Sequence, residues 1–227
     1  AYLFTGTRGT GKTTCARLLA KAVNCLNLQN GEPCNECVNC KGINEGTILD
    51  VIEIDAASNT GVDNIRDIRD EAVYTPASGK KKVYIIDEVH MLSIGAFNAL
   101  LKLLEEPPEH VMFVLATTEA YKIAPTILSR CQRFDFKRIT PTDIAGRLQY
   151  VCDQEGIKAT REGLFLIGRL ADGAMRDALS ILDTCSGSGE EITYDHVAKT
   201  VGITGREHIY RLAQAIGQND TDTAFCE

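Results

Sequence analysis

The stretch Gly6-Thr7-Arg8-Gly9-Thr10-Gly11-Lys12-Thr13 decides the fold that we expect for this chain. It fits the pattern G-x-x-x-x-G-K-[ST], whose glycines let a loop wrap with its backbone N–H groups pointing inward. The apolar run Tyr2-Leu3-Phe4 precedes the stretch and is typical of a buried strand, and residues 14–24 favour a helix. A strand, a glycine-rich loop and a helix in this order predict a phosphate-binding loop rather than an ordinary turn.

Each residue of this loop has an expected part in binding a nucleoside triphosphate. Lys12 is expected to bridge the β- and γ-phosphates of ATP, and the Thr13 hydroxyl is expected to bind Mg²⁺. The N-terminus of the following helix adds a partial positive charge that favours anionic oxygens. The predicted nucleotide-binding residues of this segment are Gly6, Thr7, Gly9, Thr10, Gly11, Lys12, Thr13 and Thr14.

A second stretch, Val83-Tyr84-Ile85-Ile86-Asp87-Glu88, carries two carboxylates at the end of a predicted buried strand. Ligands bind at the carboxyl ends of the strands in an open parallel sheet, so we expect both acids near the phosphate loop. Asp87 is expected to hold Mg²⁺ through water, and Glu88 to orient or deprotonate an attacking water. Alone, the pair is also compatible with two solvated acids, but the upstream loop favours the catalytic interpretation. His90 is at least as compatible with a structural role.

Four cysteines, Cys25, Cys34, Cys37 and Cys40, have the spacing C-x8-C-x2-C-x2-C. Four thiolates at this spacing can close a tetrahedral Zn²⁺ site of structural type. The insertion at residues 25–46 is poor in apolar side chains, so a metal is the expected organiser of its fold. A redox pair and an iron–sulfur cluster are the alternatives. The remaining cysteines lack partners at ligand spacing and are expected to be core residues: Cys15, Cys131, Cys152, Cys185 and Cys226.

The composition is that of an ordinary globular protein. The 227 residues are 44% hydrophobic and 24% charged, enough for one large domain or one domain with a small one. No apolar run approaches the roughly 20 residues of a membrane helix, and no secretory signal opens the chain, so we expect a cytoplasmic protein with no membrane partner. The net charge of −7 argues against a surface that is basic all over, but it allows a local basic groove. Because Ala1 lies almost on the first strand, we expect that residues normally preceding it are absent.

Strand and helix patterns alternate as far as residue 140. Apolar runs predict strands at 49–54, 83–86, 111–116 and 132–136, and a 3.6-residue period predicts helices at 62–74 and 94–104. This alternation predicts an α/β fold, in which a parallel sheet has helices on both faces. After Pro141 only helices are predicted, at 142–155, 160–171, 174–185 and 194–201. We therefore expect a nucleotide-binding domain at 1–140, a small helical domain at 141–204 and the start of another helical element at 205–227.

Several further segments complete a family pattern: EIDAAS, VYIIDEVHML, FNALLKLLEEPPEH, LATT, ILSRC and GAMRDALS. Together with GTRGTGKT and the four-cysteine insertion, they resemble the AAA+ ATPases and, more closely, the motor subunits of the bacterial sliding-clamp loader. The resemblance covers nearly the whole chain. It implies an ATP-hydrolysing motor that loads the sliding clamp onto primed DNA, within a DNA polymerase assembly. It also implies that residues 1–140 form an AAA+ domain with a zinc module, that 141–204 form its lid, and that 205–227 begin a truncated collar domain.

The same resemblance implies roles for individual residues. Thr118 matches the polar residue that senses the γ-phosphate, and Arg176 matches the lid arginine that touches the nucleotide. Arg130 matches the arginine finger, which acts on the ATP of the neighbouring subunit. The four cysteines match zinc ligands, and the positions that match DNA contacts are Thr60, Lys102 and Thr126. The implied partners are the delta and delta prime subunits, further copies of the motor subunit, the sliding clamp and primer–template DNA.

Two other classes of protein are considered beside this one. Asp87-Glu88-Val89-His90 is also typical of DExH helicases, but these need a second ATPase-like domain that the helical region after Pro141 does not predict. A non-catalytic subunit of the same assembly is expected to lack a working phosphate loop, whereas Lys12, Thr13 and Glu88 are all present. DNA-stimulated ATPase activity in the presence of partner subunits separates these classes.

Overall fold

The structure is a computed structural model, and it describes residues 1–202 and 213–218. The chain divides into two compact units, Ala1–Lys137 and Arg138–Glu227. Most of the element predicted at 205–227 lies outside the described residues, as does Cys226. Within the described residues, no helix is both long and apolar enough to cross a membrane.

The first unit is built on a five-stranded parallel sheet with the order β2-β3-β4-β1-β5. Its strands are β1 (Tyr2–Gly6), β2 (Val51–Asp55), β3 (Lys82–Asp87), β4 (Val111–Thr117) and β5 (Gln132–Phe136). Its helices are α1 (Lys12–Asn24), α2 (Val38–Glu45), α3 (Val62–Ala72), α4 (Ile94–Glu105) and α5 (Pro125–Leu128). Parallel pairing confirms the predicted α/β class, and β5 lies at a sheet edge as its less apolar sequence indicated.

Side chains of the central strands alternate between the two faces of the sheet. On one face Tyr84, Ile86 and Phe113 pack into the core that α3, α4 and α5 complete. On the other face Phe4 and Ile85 pack with the buried alanines of α1. Strands buried on both faces need continuous apolar runs, which is why the 83–86 stretch lacks the polar alternation of a half-exposed strand. Helices on both faces of the sheet are thereby confirmed.

The insertion contains a helix that the sequence analysis did not predict. Helix α2 begins after Cys37, whose Sγ accepts a hydrogen bond from Cys40 N, and it ends at Gly46 in the left-handed conformation. Its inner face buries Asn39 and Ile43, and the Asn39 amide donates to the Asn24 carbonyl at 2.8 Å. The insertion therefore contributes buried side chains of its own, although its composition indicated none.

The second unit is helical over α6 (Pro141–Glu155), α7 (Arg161–Leu170), α8 (Met175–Ser186) and α9 (Tyr194–Val201). Thr140, Thr160 and Thr193 cap three of these helices, each side chain accepting a hydrogen bond from a backbone N–H in the first turn. The four helices share an apolar core that includes Leu148 and Ile167. Helix positions agree with the predicted ones to within a residue or two.

Candidate nucleotide site and cysteine centre

The loop between β1 and α1 has the backbone that its glycines permit. Gly6 has φ +145°, and a Cβ there would lie 2.4 Å from the Phe136 carbonyl oxygen of the neighbouring strand. Gly11 has φ +94° and caps α1 from the left-handed region. Because non-glycine residues rarely adopt these conformations, both glycines are required by the turn. No acidic residue lies in the first turn of α1, which leaves the helix N-terminus suited to an anion.

Lys12 is folded back onto the loop from the first position of α1. Its Nζ donates to the Gly6 carbonyl at 2.9 Å and to the Thr7 carbonyl at 3.0 Å, and the residue is only 6% exposed. A buried ammonium needs acceptors, and these carbonyls supply them. Phosphate oxygens entering the loop would compete with the carbonyls for the same hydrogens.

The loop meets the acidic strand at the carboxyl edge of the sheet. The Thr13 hydroxyl donates to the Asp87 carboxylate at 2.7 Å, although the two residues are 74 positions apart. A hydroxyl and a carboxylate in contact at this edge are oxygen ligands of the kind that Mg²⁺ takes beside substrate phosphates. The residues present therefore fit the predicted magnesium site.

Glu88 leaves β3 in an unusual backbone conformation. Its φ of +46° and ψ of +44° lie in the left-handed region, and its N–H donates to the Asp87 carboxylate at 2.9 Å. Its carboxylate accepts two hydrogen bonds from Thr118, from the backbone N–H at 3.1 Å and the hydroxyl at 2.9 Å. The structure thus brings Glu88 and Thr118 into contact, while Thr13 and Asp87 meet at the end of the same strand β3.

The ring of His90 lies beside Glu88, and sequence reasoning did not assign it to the site. Its side chain is 6% exposed, with Nδ1 3.0 Å from the Thr117 hydroxyl and 3.3 Å from a Glu88 carboxylate oxygen. Its Nε2 is 2.9 Å from a carboxylate oxygen of Glu119. A histidine two residues after the acidic pair was the available signal, but only the fold brings Glu119 to the ring.

The four cysteines of the insertion converge. Their Sγ atoms all lie within 4.8 Å of one another, with Cys25 and Cys34 at 3.5 Å and Cys34 and Cys40 at 4.0 Å. Four sulfurs bound to one zinc at ~2.3 Å would be separated by on the order of 3.8 Å. The four are free thiols. The set fits a tetrahedral metal ion, and no other group of potential ligands was found in the described part of the chain.

Backbone N–H groups surround these sulfurs. Cys34 N, Cys37 N and Cys40 N donate to the sulfurs of Cys25, Cys34 and Cys37 at 3.3–3.4 Å. Hydrogen bonds from the backbone of Leu26 and Cys40 lower the pKa of Cys37 to about 6, whereas burial raises the pKa of Cys40 to about 12. Sulfurs directed at one point in this way could serve as metal ligands, and a bound cation would favour the thiolate form of each of them.

The remaining predicted residues lie away from these contacts. Arg130 follows α5, and its guanidinium donates to the Thr126 carbonyl and to the Glu105 carboxylate, both at 2.7 Å. Arg176 is exposed in the first turn of α8, in the second unit. The positions predicted to contact DNA, Thr60, Lys102 and Thr126, are exposed in the first unit.

Within the described residues, the four cysteines outside this set are buried or partly buried, as predicted for core residues. Cys152 and Cys185 are fully buried in the second unit, and Cys15 and Cys131 pack against the two cores of the first. Burial raises the pKa of all four thiols. They therefore have the environment of inert side chains.

A phosphate loop, an acidic strand end and a polar residue directly after the strand between them define the class of P-loop nucleoside triphosphatases. Thermotoga maritima RuvB, described as a Holliday junction branch migration motor, matches 95% of this chain and 67% of that chain. The TM-score is 0.63 at 16% identity, a likeness that shows the fold alone. The fold is that of the AAA+ P-loop proteins.

Sequence comparisons narrow the class to a family. A family model for the delta subunit of DNA polymerase III matches residues 1–140, and one for the ATPase lid domain of the DNA polymerase III clamp loader subunit matches 143–196. DNA polymerase III subunit tau of Bacillus subtilis is 56% identical over 99% of this chain, and that of Escherichia coli is 48% identical over 95%. The chain belongs to the gamma/tau family of DNA polymerase III clamp-loader subunits. It spans 40% of the length of the Bacillus relative and 34% of the Escherichia one.

Proposed function

We propose that this chain is the ATP-binding and ATP-hydrolysing part of a clamp-loader motor subunit. The observation that carries the proposal is the 2.7 Å hydrogen bond between Thr13 and Asp87, with Lys12 beside it at the start of α1. A phosphate loop and an acidic strand joined in this way bring the phosphate-binding and Mg²⁺-binding groups of a nucleotide site together.

Within this site each residue has one role. The backbone from Gly6 to Gly11 and the Lys12 ammonium bind the phosphates. The proposal of Arg176 as a nucleotide ligand rests on the family resemblance alone. Thr13 and Asp87 would hold Mg²⁺, which supplies charge neutralisation at the β- and γ-phosphates. Glu88 orients the attacking water and accepts its proton, and Thr118 detects the γ-phosphate. Arg130 serves the ATP of a neighbouring subunit.

The cysteine set is proposed to bind one Zn²⁺ ion. Four convergent sulfurs leave no open ligand position, so the ion would stabilise the insertion rather than take part in hydrolysis. The support is the mutual distance of the sulfurs and the N–H groups directed at them.

The action on the clamp is a proposal that rests on the family. ATP binding orders this subunit with delta, delta prime and further gamma/tau copies, and the assembly opens the clamp and grips primer–template DNA. Thr60, Lys102 and Thr126 are the proposed DNA contacts, and the cytoplasm is the proposed location. The domain boundaries at 140 and 204, with the collar beyond, belong to the same proposal.

A DExH helicase is the weaker alternative. Such a motor needs a second ATPase-like domain, and the second unit of this chain contains helices rather than a second phosphate-binding sheet in its described residues. A non-catalytic subunit is disfavoured by the intact Lys12, Thr13 and Glu88.

The test separates nucleotide binding from hydrolysis in the full-length subunit, assembled with delta and delta prime in the presence of primed DNA. Lys12→Ala should abolish tight ATP binding, because the charge that faces the phosphates is removed. Glu88→Gln should bind ATP like the parent and lose turnover, because only the proton acceptor is changed. Nucleotide affinity and DNA-stimulated phosphate release are the two measurements.

The controls are Lys41→Ala and Glu109→Gln, two exposed residues of the first unit outside the nucleotide site. Both should behave like the parent. ATP hydrolysis by Glu88→Gln at the parent rate would show that the role of Glu88 is assigned wrongly. Hydrolysis that DNA and the partner subunits leave unchanged would contradict the clamp-loader function.

A further inference from the structure

The environment of the His90 ring supports an inference about how Glu88 is oriented. Glu88 is on a tight turn in the left-handed conformation, and its side chain is 30% exposed. A carboxylate in this position needs neighbours that fix its orientation if it is to direct a water molecule. Thr118 is one such neighbour, and His90 is the other.

Hydrogen-bond roles around the ring follow from the partners. Glu119 is an ionised carboxylate that can only accept, so Nε2 of His90 carries a hydrogen and donates to it. The Thr117 hydroxyl oxygen already accepts the Glu119 N–H at 3.0 Å, so its own hydrogen is free for Nδ1. When Nδ1 carries a hydrogen as well, it can donate to Glu88 instead.

Glu119 is itself held firmly. Lys122 Nζ is 2.7 Å from the same carboxylate oxygen that His90 contacts, and the Tyr121 hydroxyl bonds to the other oxygen. Hydrogen bonds from Lys122 and Tyr121 lower the pKa of Glu119, so it stays an acceptor. The ring of His90 is therefore anchored at Nε2 by a charged group on the segment that follows β4.

We propose that His90, in the form with a hydrogen on both ring nitrogens, is a positioning residue for Glu88: Nδ1 donates to the Glu88 carboxylate and fixes its orientation, while Nε2 donates to the anchored carboxylate of Glu119. The inference rests on the proposed ATPase function, in which Glu88 activates water. It differs from a packing role, because it requires a polar atom at the Nδ1 position. The charged groups that face the ring are Glu88 and Glu119, with Lys122 behind the latter.

Two substitutions of His90 each retain a polar group near the position of one ring nitrogen and remove the other. His90→Asn retains an amide near the position of Nδ1, facing Glu88 and Thr117. His90→Gln retains an amide near the position of Nε2, facing Glu119. Positioning of Glu88 through Nδ1 predicts that kcat for ATP falls on the order of ten- to a hundredfold in His90→Gln and less in His90→Asn. KM and ATP affinity should stay near parent values in both, because the phosphate loop is unchanged.

The assay uses the full-length subunit in its assembly with DNA, and His110→Gln is the matched control. His110 is a partly buried histidine of the same unit, and its Nε2 lies 2.9 Å from the Ala72 carbonyl oxygen. Parent kcat in His90→Gln, or a lower kcat in His90→Asn than in His90→Gln, would overturn the inference. A rise in KM with kcat unchanged would overturn it as well.

A second pair of variants tests the link between His90 and Glu119 from the side of Glu119, whose side chain is 31% exposed. Glu119→Ala removes the anchor of Nε2 and should lower kcat with KM unchanged. Lys122→Ala removes one partner of Glu119 but leaves its contacts with Tyr121 and His90, so it should lower kcat less than Glu119→Ala does. If Glu119→Ala keeps parent kcat, the inference is wrong. Glu88→Gln is measured alongside. If it retains turnover, the role of Glu88 in the proposed function is assigned wrongly. If it loses turnover while the His90 variants keep the parent kcat, the inference about His90 alone is wrong.

Discussion

At the scale of single residues, Asp50 shows how one buried carboxylate can order a distant loop. One of its oxygens accepts from Ala77 N at 2.7 Å, and the other accepts from Ser78 N and Gly79 N at 2.7 Å and from the Ser78 hydroxyl at 3.0 Å. Burial acts to raise the pKa of Asp50, but the four hydrogen bonds outweigh it and hold the pKa below its ordinary 3.8. The charged form is therefore the one that the fold stabilises.

We predict that Asp50→Asn lowers the free energy of unfolding at pH 7 by ~1–3 kcal/mol, because an amide group would meet backbone donors. A carboxylate whose pKa is lower in the folded protein than in the unfolded chain stabilises the fold fully at pH values above the pKa of the unfolded chain. This stabilisation is lost as the pH falls through the pKa of the folded protein. The difference between parent and variant should thus be constant above about pH 5 and shrink in more acidic solution. Denaturant titrations at several pH values measure it.

The control for this prediction is Asp67→Asn, which changes an exposed acid of α3. It should leave stability at pH 7 close to that of the parent. If the free energies of unfolding of Asp50→Asn and the parent differed by a constant amount down to pH 3, the Asp50 carboxylate would not be the source of the stability.

At the scale of elements, the insertion depends on α2 and on the cysteines together. Helix α2 has eight residues, too short to be stable in isolation, and one of its caps is the Cys37 sulfur. The helix packs against α1, and Asn39 bonds to the end of α1 at Asn24. A metal bound to the four sulfurs would tie the loop before α2 to the helix itself.

We predict that the purified protein contains about one zinc per chain and that Cys37→Ala loses it, because three thiolates leave the tetrahedron open. Amide hydrogen exchange should then accelerate at residues 25–46, while ATP affinity stays near that of the parent. Elemental analysis and exchange measurements check the two parts.

Cys15→Ala is the control for metal binding, since Cys15 lies in α1 outside the cysteine set. Its zinc content should equal that of the parent. Protein free of metal, with the four sulfurs paired as disulfides, would refute the zinc proposal.

At the scale of the whole molecule, the proposed function depends on neighbours. Arg130 pairs with Glu105 at the surface, with 34% of the arginine side chain and 48% of the glutamate side chain exposed. Ion pairs as exposed as this contribute only ~0–1 kcal/mol to stability, so the guanidinium can exchange Glu105 for a more strongly bound anion. An ATP γ-phosphate from an adjacent subunit is such a partner, since a guanidinium can contact two phosphate oxygens at once.

We predict that Arg130→Ala leaves ATP affinity of its own chain nearly unchanged. In the assembled loader, hydrolysis at the adjacent site should fall by something like the 10³–10⁵ typical of arginine fingers. The measurement uses a mixed assembly in which one subunit carries Arg130→Ala, and ATP turnover is followed at each site.

Arg133→Ala is the matched control, because Arg133 lies three residues away and pairs with Asp135 on β5. It should leave both sites active. Loss of turnover at the mutant's own nucleotide would mean that Arg130 acts within its own chain, and the assembly mechanism would lose its support.

Local sequence patterns were enough to predict the helices, the strands and the chemistry that each carries. Glycines at positions that need positive φ, a lysine at the start of a helix and two acids at the end of an apolar run all have local signatures. The positions of strands and helices could be predicted from the sequence as well, because side-chain periodicity depends on residues that are close in the chain. The cysteine spacing likewise predicted a shared site, and the four sulfurs lie within 4.8 Å of one another.

Which distant groups come into contact depends on the packing of the elements against one another. The contact of Thr13 with Asp87 depends on β4 lying between β1 and β3, and sheet order is not encoded in any local pattern. The junction of His90 with Glu119 arises because the turn after β3 packs against the end of β4. Helix α2 was missed because its cap is a sulfur and its buried face is completed by α1. These contacts depend on packing between residues that are far apart in the chain, so local sequence patterns cannot predict them.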